Sequence, residues 1–410
     1  MPGLKKVTHK IWLTLVVFAT PLAGLAFFFL VTGINDKIEF ASLEIYGNLY
    51  QRPLEKLLAH LPLARDAARR ERDGRAGAGS LAHESAALDQ AFSELELVDR
   101  ELGRALQFTE EGLAKRGREQ SRADRVQAGW RALKADLSSG SPEEIRARFQ
   151  ELIQHVRTMI THGGDVSNLI LDPDLDSYYL MDATLLTLPQ TQVRLADILD
   201  VGEKALTAPE ISLADRSRLA VFAALLEESD LHRIRGSLET ALNEDPNFNG
   251  PSPSLGARVP PALTAYLEAT SRLLSFLREA AAGKKQGRVD EFRAVALQAR
   301  EESFRMWDVA AAELDSLLNI RIACLQKQRL GALGAAAAVL LLAGLAAALI
   351  MSSLVRPIRE TLAILDDMAE GGRGPDQAVE GSRPGRSGAH GRKVQYLPGQ
   401  APVPGAAGGG

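Results

Sequence analysis

The densest group of acidic and aromatic side chains is the stretch LDPDLDSYYLMD. Asp172, Asp174 and Asp176 have the alternating spacing of a calcium loop, in which carboxylate oxygens bind the ion. Such a loop also requires a glycine at its sixth position and a glutamate at its twelfth. This chain has Ser177 and Ala183 at those positions, so we predict no metal site in this stretch.

The same stretch carries the signals of a helix start. Asp172 can cap free N–H groups, and Pro173 fixes φ at the first helical position. Asp174 and Asp176 then fall in the first turn, where the helix dipole favours negative charge. The paired tyrosines are typical of packing contacts, and a ligand pocket is the alternative for this segment. The residues singled out are Asp172, Pro173, Asp174, Asp176, Tyr178, Tyr179 and Asp182.

No combination of residues predicts catalysis. The chain has no nucleophile elbow, phosphate-binding loop, zinc-protease helix or dinucleotide fingerprint. Cys324 is the one cysteine, which excludes an intramolecular disulfide and a cysteine-based metal site. His155 and His162 share a possible helix face, but no further ligands complete a metal set. We therefore predict neither an enzyme nor a metal or cofactor site.

Charge limits the class of partner. The chain has 48 basic and 52 acidic residues, a net charge of −4, without the basic excess of a nucleic-acid-binding protein. Arg194, Arg233 and Arg235 could hold the carboxylate of a ligand bidentately, but arginines on helices are more often solvated surface charges. We expect no nucleic-acid partner, and the sequence does not identify a ligand.

Two long uncharged segments predict transmembrane helices. Residues 11–34 hold 24 uncharged positions, and residues 330–354 form a second segment rich in small residues. Both reach the ~20 residues that cross the hydrocarbon core of a bilayer. A cleaved signal peptide is the alternative for the first segment, but its apolar region would span only about 7–15 residues.

Basic residues flank the two segments and set their orientation. Three lysines lie within residues 1–10, and two arginines follow the second segment closely, as expected on the cytoplasmic side. The N-terminus and C-terminus are then both cytoplasmic, and residues 35–329 lie outside the cytoplasm. We expect the chain in the inner (cytoplasmic) membrane.

Residues 35–329 are rich in strong helix formers and predict an all-α fold, an antiparallel helical bundle standing on the membrane. The glycines of residues 74–79 mark a break, and Ser141 before Pro142 marks a helix start. Prolines make residues 243–261 the longest predicted loop. Apolar stripes at helical spacing are expected in the core: Leu88, Phe92, Leu95, Leu102, Leu106 and Leu113, and Phe304, Trp307, Ala311, Leu314 and Leu318.

Residues 355–372, VRPIRETLAILDDMAEGG, resemble the first helix of a HAMP linker. With two spans around a helical domain, the layout of residues 1–372 resembles that of bacterial methyl-accepting chemotaxis proteins and sensor histidine kinases. The resemblance implies a sensor domain for an unknown small-molecule or protein ligand. It also implies a homodimer, because the apolar stripe of a HAMP helix packs in a parallel coiled coil. The matching residues are Pro357, Ile358, Leu362, Leu365 and Met368.

Residues 373–410 do not continue this layout. The last 40 residues hold twelve glycines and five prolines, a composition that predicts disorder. A one-base shift of the reading frame permits Gly-Asp-Leu-Thr at this point, the connector expected after a first HAMP helix. A frameshifted tail is our hypothesis, and a natural disordered tail or a deliberately truncated gene are the alternatives.

Three functions follow from these observations. The first is a chemotaxis-type transmembrane receptor that lacks its cytoplasmic signalling domain. The second belongs to another class, the front end of a sensor histidine kinase or nucleotide cyclase. The third is a structural membrane coiled-coil protein without a ligand, for which no small molecule should raise the melting temperature of residues 35–329.

Overall fold

The computed structural model describes residues 14, 18–19, 21–74, 80–284 and 287–369. Every regular element in these ranges is helical, which confirms the all-α prediction. Residues 1–13 lie outside the described residues. They comprise the predicted cytoplasmic N-terminus and the start of the first predicted span. The end of the predicted HAMP helix, 370–372, and the tail 373–410 also lie outside the described residues.

The helices are α1 (Gly33–Arg72), α2 (Ser80–Leu102), α3 (Glu110–Ala114), α4 (Ala123–Asp136), α5 (Pro142–Val166), α6 (Leu175–Met181), α7 (Leu188–Thr207), α8 (Leu213–Leu225), α9 (His232–Glu244), α10 (Pro253–Ala281) and α11 (Val289–Ala369). Wider π-helical turns precede α1 and join α6 to α7 and α8 to α9. They span Phe28–Thr32, Asp182–Thr187 and Leu226–Leu231. Short 3₁₀ turns span Glu119–Ser121, Leu169–Leu171 and Asp245–Asn247.

Among the described residues, two helices are long and apolar enough to cross a membrane, by length and composition. They run over Pro21–Arg72 and Val289–Ile350, and their most apolar windows are 0% and 6% buried. Such exposure is unlike that of a core helix in a soluble protein. Neither helix breaks at positions 34/35 or 329/330, where the predicted spans meet the predicted bundle, although Gly33, Asn35 and Asp36 are weak helix formers.

The chain divides into two compact units, one of Trp12–Leu345 and one of Met1–Ile11 with Ala346–Gly410. The first contains the bundle described below. In the second, the described residues are the helical positions 346–369. Three apolar side chains of this part, Ile358, Leu362 and Leu365, are 46%, 43% and 54% exposed.

Buried apolar side chains of the first unit form two clusters. The larger includes Trp130 and Trp307 and joins α1, α2, α4, α5, α6, α9, the first half of α10 and the middle of α11. The smaller joins α7, α8, the second half of α10 and the start of α11 around Phe292. The residues of both predicted stripes lie in the core, with Leu102 and Phe304 partly buried against the larger cluster and the others fully buried. The first stripe is not one helical face, however, because α2 ends at Leu102, Leu106 lies in a turn and Leu113 belongs to α3. The core is thus built by the helical periodicity of the sequence.

One predicted helix start is confirmed and one predicted loop is wrong. Ser141 caps α5 with Pro142 in its first turn, and the Ser141 and Glu144 side chains each bond to the other's backbone N–H. Residues 243–261 are not one long loop, because α10 already begins at Pro253. Proline is tolerated in a first helical turn, and the buried side chains of this turn favour continuing through the later prolines.

Candidate functional site

Arg321 of α11 lies at the centre of a buried ionic group. Its guanidinium nitrogens lie 2.8 Å from Glu44 of α1, 2.6 Å from Asp172 and 2.7 Å from Asp174. It also contacts the hydroxyl of Ser177. The Arg321 side chain is only 8% exposed. We call these five residues the Arg321 cluster, which joins α1, α11 and the residues just before and within α6.

The local backbone explains how two aspartates reach Arg321. Asp172 Oδ1 accepts hydrogen bonds from the backbone N–H of Asp174 and from the Ser177 hydroxyl, both at 3.0 Å. The helix begins at Leu175 with Asp174 at its N-cap. The prediction that Asp172 caps this helix and Pro173 opens it is therefore wrong by two residues. Asp172 still accepts a backbone N–H, that of Asp174, and its carboxylate also pairs with Arg321.

The Arg321 cluster holds three carboxyl groups and one guanidinium. Burial raises the pKa of Glu44 to about 9, with a further contribution from the negative charge of Asp172. Burial also raises the pKa of Asp172. Glu44 Oε1 is buried without a hydrogen-bond partner among the described residues. We conclude that the cluster retains a proton near neutral pH, which lowers the repulsion among its carboxyl groups.

The other predicted residues of this stretch lie elsewhere. Asp182 accepts hydrogen bonds from Arg233 at 2.6 Å and from Ser237 at 2.9 Å, in a separate ion pair with α9. The rings of Tyr178 and Tyr179 meet edge to face at 5.4 Å and pack against the larger core.

Asp176 is buried and accepts a hydrogen bond from the backbone N–H of Ser177. Burial raises its pKa to about 6. Pro173 is exposed in the link before α6. The structure therefore brings Asp172 and Asp174 into one site, with Asp176 adjoining it through Ser177, and leaves Pro173, the two tyrosines and Asp182 outside it.

Polar contacts connect α1 and α11 along their lengths. Arg329 donates to Asn35 at 3.0 Å, close to the ends of the two candidate membrane spans that adjoin the bundle. Further along, Asn48 donates to Asp315 at 2.7 Å. With the contact between Glu44 and Arg321, these bonds hold the two span-bearing helices side by side within the first unit.

A second polar site lies at the other end of α1, roughly 45 Å from Asn35 at the rise of an α-helix. A cavity of about 550 Å³ opens between the end of α1, the start of α5 and one face of α7. Six basic and four acidic side chains line it, a formal excess of two positive charges. We call it the arginine cavity; its basic residues are Arg65, Arg69, Arg72, Arg146, Lys204 and Arg300.

Arg300 of α11 is the most deeply buried cation of the arginine cavity, at 3% exposure. Its Nη2 donates to the backbone oxygens of Leu58 at 2.9 Å and Ala59 at 2.7 Å. The Leu58 oxygen needs this donor, because Pro62 has no N–H to complete the helical bond. Burial, with the charge of Arg65, lowers the pKa of Arg300 to about 10.

Sequence reasoning missed both Arg300 and Arg321. The signal available was an arginine beside an apolar helical stripe of α11, where a solvated charge is not expected. Arg194 and Arg233, which were considered for an anionic ligand, instead bond to Asp230 and Asp182, each at 2.6 Å. Arg235 is exposed.

Within the described residues, no group of three or more histidine, cysteine, aspartate or glutamate side chains is arranged to hold a metal ion. Comparisons with protein-family models, with curated proteins and with solved structures found no match. The functional argument therefore depends on the chemistry and placement of the Arg321 cluster and the arginine cavity.

Proposed function

We propose that this chain is a chemotaxis-type transmembrane receptor, a homodimer whose residues 35–329 form the extracytoplasmic sensor domain. The observation that carries the proposal is the pairing of α1 with α11. One candidate span leads without a break into α1, and α11 contains the other. Buried polar contacts such as the one between Glu44 and Arg321 join the two helices just beyond these spans. A receptor needs this arrangement, because its signal is a small shift of one helix against another.

The arginine cavity is the proposed site at which a ligand acts on this pair of helices. The arginine cavity lies between α1, α5 and α7 and includes Arg300 of α11 in its wall. A ligand that binds one arrangement of these helices more tightly than another would shift the population between them. Helix displacements of about 1–2 Å at interfaces are a common form of such switching.

Residues 355–372 supply the proposed output as a HAMP helix. Pro357 opens the matching stretch, and Ile358, Leu362 and Leu365 leave an apolar stripe exposed on the single chain. The stripe is expected to pack against its copy in a second protomer as a parallel coiled coil. Met368 continues the stripe by its position in the sequence.

Membrane topology provides the first test. In a Cys324→Ser background, we would introduce Ser138→Cys in the proposed outer domain and Arg359→Cys beyond the second span. A membrane-impermeant maleimide should label the first variant in intact spheroplasts and the second only after lysis. The reverse pattern, or equal labelling of both before lysis, contradicts the proposed orientation.

Disulfide crosslinking tests the proposed dimer. Oxidation of membranes should crosslink Ile358→Cys, which lies on the apolar stripe. Ile364→Cys is the matched control, since its side chain is similarly exposed at 59% but lies on another face of the helix. Equal crosslinking of the two variants contradicts a HAMP-type contact.

Genomic sequence beyond codon 373 tests which kind of signalling domain follows the proposed HAMP helix. A frame that continues with Gly-Asp-Leu-Thr and then glutamine- and alanine-rich heptads supports the chemoreceptor and the frameshift. A phosphoacceptor helix followed by a glycine-rich nucleotide site supports the kinase alternative. A structural protein without a ligand predicts that no small molecule changes the crosslinking rate at position 358.

A further inference from the structure

The chain crosses from α5 to α6 at the end of the bundle that adjoins the candidate spans. α5 runs antiparallel to α1 and begins at the level of Arg72, whose guanidinium donates to the Gly140 oxygen at 2.9 Å. It ends at the level of Gly47, where an added side chain would collide with Ser167. We call the crossing segment, residues 168–175, the strap.

The strap exposes its large apolar side chains and turns its charged ones inward. Ile170, Leu171 and Leu175 are 39%, 65% and 43% exposed. The two aspartates of the strap instead face the guanidinium of Arg321, at 2.6 and 2.7 Å. Isolated apolar side chains are common on protein surfaces, but a group of large ones beside buried charges indicates a surface that a partner covers.

The neighbouring link, residues 245–252, has the same character. Asn249 of this link donates to the strap residue Asp174 at 2.9 Å. The one charged residue of the link, Asp245, is buried, whereas two of its prolines are exposed and Phe248 is partly buried. The two segments together form a surface with little exposed charge at this end of the bundle.

Links farther from the candidate spans expose charged side chains instead. Phe108, in the link from α2 to α3, stacks on Tyr50, and this link exposes Arg104. At the opposite end of the bundle, Glu210 and Lys284 are exposed. Among these links, exposed charge is thus reduced where the bundle is nearest the spans, which favours a lipid bilayer as the partner that covers the strap.

The distance from the spans permits such a contact. Glu44, which shares Arg321 with the strap, lies nine positions after Asn35. At the rise of an α-helix this is roughly 14 Å. The polar headgroup layer extends roughly 5–8 Å beyond each side of the hydrocarbon core. A helix tilt of about 20°, the average for membrane helices, lowers one side of the bundle and brings the side chains of the strap to this layer.

We infer that the strap binds the headgroup layer of the membrane, with Ile170 and Leu171 inserted beside lipid. The contact is apolar, so it should depend neither on anionic lipid nor on salt. Because the aspartates of the strap hold Arg321, lipid contact acts directly on the joint between α1 and α11. This inference rests on the proposed membrane anchoring and adds a second contact with the bilayer beside the spans.

Quenching of a fluorescent label by lipid tests the inference. In a Cys324→Ser background, Leu171→Cys carries an environment-sensitive fluorophore, and the full chain is reconstituted into phosphatidylcholine vesicles with or without a headgroup nitroxide. Leu213→Cys is the matched control, a leucine 81% exposed at the start of α8, at the opposite end of the bundle. The nitroxide should quench the label at position 171 at least about threefold more strongly than the label at position 213, and high salt should not change this ratio.

A second substitution identifies the side chains responsible. Ile170→Asp in the labelled Leu171→Cys chain should lower the quenching towards the level at position 213, because a charge is disfavoured beside lipid. Leu213→Asp in the same labelled chain should leave the quenching unchanged. Both substituted side chains are exposed, so the melting temperature should change little in either variant. If Ile170→Asp does not fold, the comparison of the labels at positions 171 and 213 still decides the question.

The outcomes separate this inference from the receptor proposal. Equal quenching at positions 171 and 213 overturns the membrane contact, and quenching that high salt abolishes overturns its apolar nature. A label at position 171 that is shielded from water but not quenched, and that becomes exposed when the protein is diluted with lipid, assigns the strap to a second copy of the chain and also overturns the inference. None of these results depends on orientation in spheroplasts or on crosslinking at position 358, so either proposal can fail alone.

Discussion

The two ends of the bundle hold opposite arrangements of charge. In the Arg321 cluster, one guanidinium lies among three carboxyl groups, including those of Glu44 and Asp172. Beside the arginine cavity, the buried carboxylate of Glu203 contacts three guanidinium groups, those of Arg69, Arg70 and Arg293. An excess of carboxyl groups can be relieved by a proton, whereas an excess of arginines cannot be relieved by losing one.

The difference assigns different roles to the two ends. With a proton on Glu44, the guanidinium of Arg321 faces the two remaining carboxylates of its cluster, which leaves one net negative charge. Both sites contain buried polar atoms that lack a hydrogen-bond partner among the described residues, but the arginine cavity also has a volume of about 550 Å³ that can admit a ligand. On this view the Arg321 cluster maintains the contact between α1 and α11, and the arginine cavity responds to what is bound.

Removing the central cation tests the structural role and should give the largest effect. Arg321→Met leaves buried carboxyl groups without their partner and should lower the free energy of unfolding by about 3–5 kcal/mol. Chemical unfolding of the full chain in micelles, followed by circular dichroism, measures the loss. Arg305→Met is the matched control on the same helix, with a side chain 57% exposed. It should change stability by no more than about 0.5 kcal/mol.

Equal losses in the free energy of unfolding for Arg321→Met and Arg305→Met would contradict the structural role of the Arg321 cluster. They would mean that the Arg321 cluster contributes no more to folding than an ion pair on the surface.

The same substitution at the two ends should have unequal effects. Glu203→Gln removes one carboxylate from three guanidinium groups, although Arg69 and Arg293 keep their contacts with Asp66. It should cost about 1.5–3 kcal/mol, the range for hydrogen bonds to charged groups. Glu44→Gln resembles the protonated carboxyl and should cost less than about 1 kcal/mol at pH 7. Similar costs for both variants are inconsistent with a proton held at Glu44.

The change in the free energy of unfolding per pH unit should be the smallest of these effects. Glu44 ionises near its ordinary pKa of 4.5 in the unfolded chain and near 9 in the folded protein. Between these values the folded protein holds a proton that the unfolded chain has lost. The free energy of unfolding should therefore fall as the pH rises from about 5 to 9, by at most about 1.4 kcal/mol per pH unit for one proton.

Melting curves of the wild type and of Glu44→Gln across this pH range measure the effect. The variant should show a shallower decline. Some decline should persist, because burial also raises the pKa of Glu55, to about 8. Arg305→Met should keep the wild-type slope, and a Glu44→Gln slope as steep as that of the wild type counts against the assignment.

The sequence was sufficient for the fold because its helical signals are local. The stripe through Trp307, Ala311 and Leu314 and the cap at Ser141 are set by neighbours within a few turns, and the structure places them as predicted. The loop predicted for residues 243–261 is wrong, because the buried stripe of α10 continues through the prolines on which the prediction depends.

The candidate sites were not predictable in the same way. Glu44 and Arg321 are 277 residues apart in the sequence, and Asp172 is 149 residues from Arg321. No helical period or short motif connects such positions. Asp172 was singled out for a local reason, as a helix cap, and its long-range partner changed that role.

The prolines of α1 have a mechanical consequence. Pro53 and Pro62 each remove a backbone hydrogen bond from α1, whereas α11 contains no proline before Pro357. The two paired helices therefore differ in bending stiffness, and a force along the pair should bend α1 at its proline turns. Because Arg300 bonds to the carbonyl left free by Pro62, an anion that draws on the same guanidinium should change the compliance of that turn.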